Sequence, residues 1–393
     1  MHLQFSEDSQ KNYFFSQPHQ PFFVLAFINA IITMVIFLLS YNNIIHLAID
    51  ASGFHIYGII YLLFTPAFFA FLFTTFPRFT STPAIPKPIY MRIFSLFYLS
   101  SILFLLGSLV SPVFSGFGMV LLFVGHFMGI LVLKNIYDTT ELEDKVDIFW
   151  ILLAMSFGLL SHLIFIVSGL FYSPLMGLSI EVSIYLYLFL VTFSVAQRMV
   201  PFFSHSTVAP DKRLLKIIFG LLVAHILLEG IYTNLSFIVD IIIAILVARE
   251  LLRWKLQFPH PNPMVWILHT SLYWVPIGFL LGALSNFISM VSGMYFMALD
   301  VHVIVLGFVF TMLIGFGTRV TLGHSGARME ADRLTKILFY STQLVVFSRI
   351  IVSIVASFGY DIIIFFNISI SLLILLFVVW GAKFFKLLIY GKR

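Results

Sequence analysis

Twelve apolar stretches, each long enough to cross roughly 30 Å of hydrocarbon, follow one another near 21–41, 54–76, 90–110, 113–133, 148–171, 180–203, 213–233, 235–252, 263–288, 297–318, 334–357 and 360–388. Such a chain must satisfy its backbone inside each segment, and helices do this. The cations support the same division. Arg78, Lys87 and Arg92 follow segment 2; Lys134 and Lys145 follow segment 4; Arg198, Lys212, Arg213 and Lys216 surround the end of segment 6. Arg249, Arg253 and Lys255 follow segment 8, Arg319, Arg328, Arg333 and Lys336 follow segment 10, and Lys383, Lys386, Lys392 and Arg393 close the chain. Connections after odd-numbered segments carry none, and with Lys11 in the leading tail only Arg349 is left inside a span away from its cation-bearing end. Because Lys and Arg collect on the cytoplasmic side, both termini are expected there, in a bacterial inner membrane.

The expected architecture is all-α and polytopic: a tail over 1–20, a single twelve-helix membrane domain over 21–388, and a short tail over 389–393. Only 10% of residues are charged, against about 25% in soluble domains. The partner implied is the lipid bilayer; the net charge of +5 sits in loops and implies no nucleic acid. The start "MHLQFSEDSQKNYFFSQPHQ" lacks the basic region and small-residue cleavage site of a signal peptide. The absence of Cys removes disulfides, thiolate-held clusters and covalent haem attachment, so a metal here needs His, Met, Tyr or carboxylate.

Segments 2, 6 and 10 end in related polar text, "TFPRFTSTP", "RMVPFFSHSTVAP" and "GTRVTLGHSG", as a four-helix period used three times would produce, although Pro, Thr and Gly also serve as ordinary stop signals. Depth sorts the histidines. His55, His302, His162 and His225 lie toward the outer face, with Glu181, Glu229 and Asp300 near them; His126 is central, and His269, His205 and His324 lie inward. Ionisable groups in a span are costly and tend to mark a cofactor, pathway or relay; neutral His bridging two helices is the alternative. The stretch "GFGTRVTLGHSGAR" (315–328) is no dinucleotide loop, since Val320 stands where GxGxxG needs Gly. It reads either as a helix stop or as a turn in which Thr318, Arg319 and Thr321 bind an anionic group such as a haem propionate.

With His302 upstream on the same helix, that stretch resembles the NnrS family of bacterial membrane proteins, through Gly307, Thr318, Arg319, Leu322, Gly323, His324, Ser325 and Gly326. "PHQPFF" (18–23), "RMVPFF" (198–203) and "NPMVWILHTSLYWVPIG" (262–278) resemble three further family stretches. One departure stands out: the family's His-Ala-His-Glu start of segment 2 reads "HIYG" here, with His55 kept, Tyr57 for the second His and Gly58 for the Glu. The resemblance implies haem b, copper as a further metal, and a role in handling nitric oxide under nitrosative stress, with quinol as a possible electron donor.

Two axial imidazoles must face each other from separate elements at one depth, and helices 2 and 10 offer His55 and His302 near the outer surface; His162 and His225 compete at similar depth, while His269, His324 and Arg319 form an inner candidate locus for a metal or an anion. Helices 2 and 10 supplying both haem ligands is similar to the haem–copper oxidase fold, with its three arcs of four helices. "SIEVS" (179–183) puts Ser179 where that fold has a copper-binding His, and no two adjacent His occur, so catalysis of the oxidase type is not expected. The alternative is a proton-coupled twelve-helix secondary transporter, against which the loop "PRFTSTPAIPKP" lacks the basic motif of the major facilitator class.

Overall fold

A computed structural model describes residues 12–208 and 211–392; residues 1–11 of the expected tail, Lys11 among them, and Arg393 lie outside the described residues. The described residues form twelve long helices: α1 (His19–Tyr41), α2 (Ala51–Phe79), α3 (Lys87–Val110), α4 (Pro112–Thr139), α5 (Val146–Leu170), α6 (Leu175–Phe203), α7 (Leu214–Ile231), α8 (Phe237–Trp254), α9 (Pro263–Ser292), α10 (Leu299–Ser325), α11 (Arg333–Ser357) and α12 (Ile363–Tyr390). No strand occurs among the described residues. Eleven of these helices are long and apolar enough to cross a membrane. The other, α8, carries Asp240, Arg249, Glu250 and Arg253 in its 18 residues, yet at 1.5 Å per residue it extends about 27 Å and packs along α9.

Both described ends of the chain meet at one end of the bundle. Tyr13 donates to the His324 carbonyl at 3.3 Å, and the Lys392 amide donates to the Ser325 carbonyl at 3.1 Å. We call this the terminal end and the opposite one the far end.

Three helices stand inside and nine surround them. The membrane windows of α2, α6 and α10 are 89%, 83% and 78% buried, against 33–61% for the other eight candidate spans. The inner three touch one another: Tyr187 of α6 donates to Thr65 of α2 at 2.9 Å, Phe189 of α6 meets Phe308 of α10 at 5.4 Å, and Phe71 of α2 meets Phe316 of α10 at 5.5 Å. The rest follow in chain order, and α12 closes the ring on α1. The four-helix period therefore has a structural counterpart, since its second member is the inner helix each time.

Each inner helix also contains a π-helical stretch, at Gly58–Phe64, Val182–Phe189 and Val303–Phe310. In two of them a Thr hydroxyl bonds back five residues, Thr65 to Ile60 at 3.1 Å and Thr311 to Leu306 at 2.9 Å. Inserting a residue this way rotates everything downstream about the axis, and such bulges gather at functional sites.

Candidate functional site

At the far end, α1, α2, α6, α10, α11 and α12 enclose a cavity of about 360 Å³. Its lining is largely aliphatic and aromatic, with Ile59, Leu63, Val305 and Phe310 among it, and its polar members include His55, His302 and Arg349. Pockets of this size and character are the usual form of small-molecule and cofactor sites.

The two histidines reach the cavity from the first turns of α2 and α10, just before each helix becomes π-helical. Asp50 caps α2, accepting from the Gly53 amide at 2.7 Å. The His55 ring stacks on Phe37 at 4.5 Å, and its Nδ1 is buried with no hydrogen-bond partner. His302 Nδ1 lies 2.8 Å from the Ala298 carbonyl; donation there leaves Nε2 as the lone-pair nitrogen. The two ring centroids are 6.5 Å apart and their planes are parallel within 5°. A metal held at roughly 2.0–2.1 Å by two imidazoles puts their centroids roughly 5 to 6.5 Å apart, the upper limit being the linear, trans arrangement. The pair sits at that limit.

Arg349 is the cation that hydropathy left inside a span, a position without an assigned role in the sequence. It lies beside this pair: Nη2 donates to the Met297 carbonyl at 2.6 Å and is 3.2 Å from His302 Nδ1, while Nη1 donates to Ser353 at 2.5 Å. Arg319 sits seventeen residues further along α10 than His302, about 25 Å away by helical rise. There it packs over the Phe203 ring at 4.0 Å and donates to the Met264 carbonyl at 3.1 Å. Any anionic group in the far-end cavity therefore meets Arg349 and not Arg319.

The other expected ligands lie elsewhere. His162 faces α2 and α4, with Nε2 at 2.9 Å from the Tyr57 hydroxyl. His225 is held between two carboxylates, Nδ1 at 2.6 Å from Asp240 and Nε2 at 3.3 Å from Glu181. At the terminal end His269 bonds Ser204 at 2.6 Å and lines a cavity of about 290 Å³ with His205, His260 and Lys255. His324 pairs instead with Gln17 at 2.8 Å and with the buried His19 ring, 4.7 Å away by centroids. His19, carried by the "PHQPFF" text, and the central His126 were not singled out as site residues. Among the described residues no three His, Asp or Glu side chains converge as metal ligands.

The sequence pattern described as NnrS protein matches residues 13–391. No curated protein matches the chain.

Proposed function

This chain belongs to the NnrS family, and from that premise we propose that it is a haem-binding integral membrane protein of nitrosative-stress protection, with one b-type haem held by His55 and His302. The family assignment itself supports a nitric-oxide-related membrane protein, and leaves the transporter alternative without support. The observation that carries the haem reading is the parallel imidazole pair, 6.5 Å apart across an apolar cavity. The donor set fits: both ligands are nitrogen, the chain has no thiol, and His55 Nδ1 is a buried polar atom without a partner.

When bound, haem held by both imidazoles would supply one-electron exchange; a diatomic ligand would need one of the two imidazoles to give way. The chain's own residues set the conditions. The Ala298 carbonyl, accepting a hydrogen bond from the Nδ1–H of His302, selects the tautomer and fixes the ring, as outer partners of metal-bound His do. Phe37 restrains the His55 ring by stacking. Arg349 offers guanidinium hydrogens to an anionic substituent and keeps that charge from being buried unpaired. The apolar lining excludes water and admits a small neutral molecule such as nitric oxide, with quinol as the electron donor in this reading.

The positive-inside pattern supports a bacterial inner membrane with the terminal end cytoplasmic. Copper, the other metal of this reading, needs imidazoles outside the far-end cavity, whose two are committed to the haem. The test is the visible spectrum of the purified protein and of His55→Ala and His302→Ala. Six-coordinate low-spin bands are expected in the parent and should be lost in each variant. Wild-type bands retained by either variant would remove that residue from the site.

A further inference from the structure

At the terminal end, the segments that follow α6 and α8 and the start of α9 enclose the cavity of about 290 Å³ that His269 lines. Ser204 and His205 follow α6, Lys255 and Gln257 follow α8, and His260 stands in the next loop; none of the described lining residues is Asp or Glu. Glu250, five residues before Lys255, is engaged by Arg253 at 2.5 Å and by the Trp254 indole at 2.7 Å. Helix C-termini present carbonyl oxygens, which repel an anion, but here they are taken up. The Phe202, Leu252, Trp254, Leu256 and Gln257 carbonyls accept, in turn, from the His205 amide at 3.2 Å, the Lys255 amide at 3.1 Å, the Ser206 hydroxyl at 3.0 Å, the Tyr273 hydroxyl at 3.2 Å and His269 Nδ1 at 2.9 Å. His260 Nδ1 accepts from the Asn262 amide at 3.0 Å, which places the ring proton on Nε2 as a donor. What remains is a set of donors with one fixed positive charge.

Both helix ends also hold a basic residue in the left-handed region, His205 at φ 52° and Lys255 at φ 53°. Only Gly enters that region without strain, and α9 and α10 end on Gly293 and Gly326 in it. Each lining segment carries an exposed apolar side chain as well: Phe202 and Leu252 are each 75% exposed and Phe258 is 54% exposed. We propose that this cavity binds the headgroup phosphate of an anionic phospholipid, whose acyl chains run over Phe202, Leu252 and Phe258. Lys255 pairs with the phosphate charge, and His205 and His260 donate to its oxygens, in bonds strengthened by that charge. The volume favours an ester over the bare ion, because it lies near the lower end of the ~300–1,000 Å³ of small-molecule sites and exceeds what one inorganic phosphate fills. Basic pockets between spans hold such headgroups on the cytoplasmic side, which is where the orientation proposed above puts this end. The site itself stands whether or not haem occupies the far-end cavity.

The test uses the full chain, delipidated in detergent, with phosphatidylglycerol, phosphatidylcholine and inorganic phosphate each titrated by native mass spectrometry and by the shift in melting temperature. The parent should bind phosphatidylglycerol in preference to the other two. Lys255→Gln should weaken that binding about fivefold, the usual effect of one basic residue at an anionic lipid, and Lys255→Arg should restore it; His260→Gln should weaken it as well. Parent-like affinity in both Gln variants, or equal binding of phosphatidylcholine, overturns the proposal. Binding of inorganic phosphate with the same dependence on Lys255, but none of phosphatidylglycerol, overturns the lipid as its source. A Lys255 that only complements the end of α8 would lower the melting temperature equally with and without phosphatidylglycerol, and that result overturns it too. Should a Gln variant fail to fold, the parent's preference between the two lipids decides, and absence of a preference overturns it equally.

Discussion

Gly58 lies one turn below His55 at the head of the first π-helical stretch, and α1 crosses it closely. A Cβ placed on Gly58 would lie 2.2 Å from Thr33 Cγ2, 2.8 Å from its Oγ1 and 3.1 Å from its Cβ. Ordinary carbon–carbon contact is ~3.5–4.0 Å, so Gly58→Ala forces α1 and α2 apart by over about 1 Å or drives Thr33 off its rotamer. Overpacking of this kind costs about 1–3 kcal/mol, partly offset by the roughly 1 kcal/mol by which Ala exceeds Gly as a helix former. Thr33 itself is expendable, since its Oγ1 is buried without a hydrogen-bond partner. Thr33→Ala removes the two closest atoms and leaves only the 3.1 Å contact. The double variant should therefore recover most of the loss, giving a coupling of at least ~1 kcal/mol, well above the few tenths expected for independent sites. Denaturant unfolding in detergent, followed by helical circular dichroism, measures all four corners of the cycle. Displacing α1 also moves Phe37 off the His55 ring, so, on the proposed assignment of His55 as a haem ligand, Gly58→Ala should perturb the visible bands where the double variant does not. Additive behaviour of the two substitutions would refute the close approach of α1 and α2.

Two further outcomes are expected. Asp332 caps α11, accepting from the amide and hydroxyl of Thr335 at 2.9 and 2.8 Å and from Lys383 at 2.5 Å; burial works against its charge, but these donors outweigh it and hold the carboxyl at about 2. A depressed pKa stabilises above the unfolded value and is lost as pH falls, so Asp332→Ala should cost about 0.5–2 kcal/mol near neutrality. Its deficit should shrink between 3.8 and about 2, and a deficit independent of pH there would exclude the charge from the effect. Because the chain has no Cys, Ile44→Cys and Tyr172→Cys should react in intact cells with an impermeant thiol reagent while Glu330→Cys is protected; the reverse pattern would invert the proposed orientation.

Depth was legible in the sequence, and direction around each helix was not. Hydropathy and the alternation of Lys and Arg delimit the spans and bring both termini to one end, because crossing a hydrocarbon layer is a one-dimensional constraint and each residue adds a fixed rise. His55 and His302 could be paired on that basis, each being near the far-end start of its helix. The same depth argument put His162 and His225 beside them, and here it had no means of choosing. In a membrane helix both the lipid-facing and the protein-facing sides are apolar, so the stripe that orients a soluble helix is nearly absent.

The rotational choices were made by tertiary packing. Only contact among α2, α6 and α10 made those helices the inner three, and only their π-turns set the phase of the later turns, since one extra residue rotates the downstream face by about 100°. Packing carried His162 to His126 and His225 to Asp240 and Glu181, away from the pair they matched in depth. It also set Arg349 of α11 beside His302 and left Arg319 of His302's own helix at the opposite end. A helix fixes how far along the membrane normal a side chain lies, but which neighbour it meets depends on helices distant in sequence.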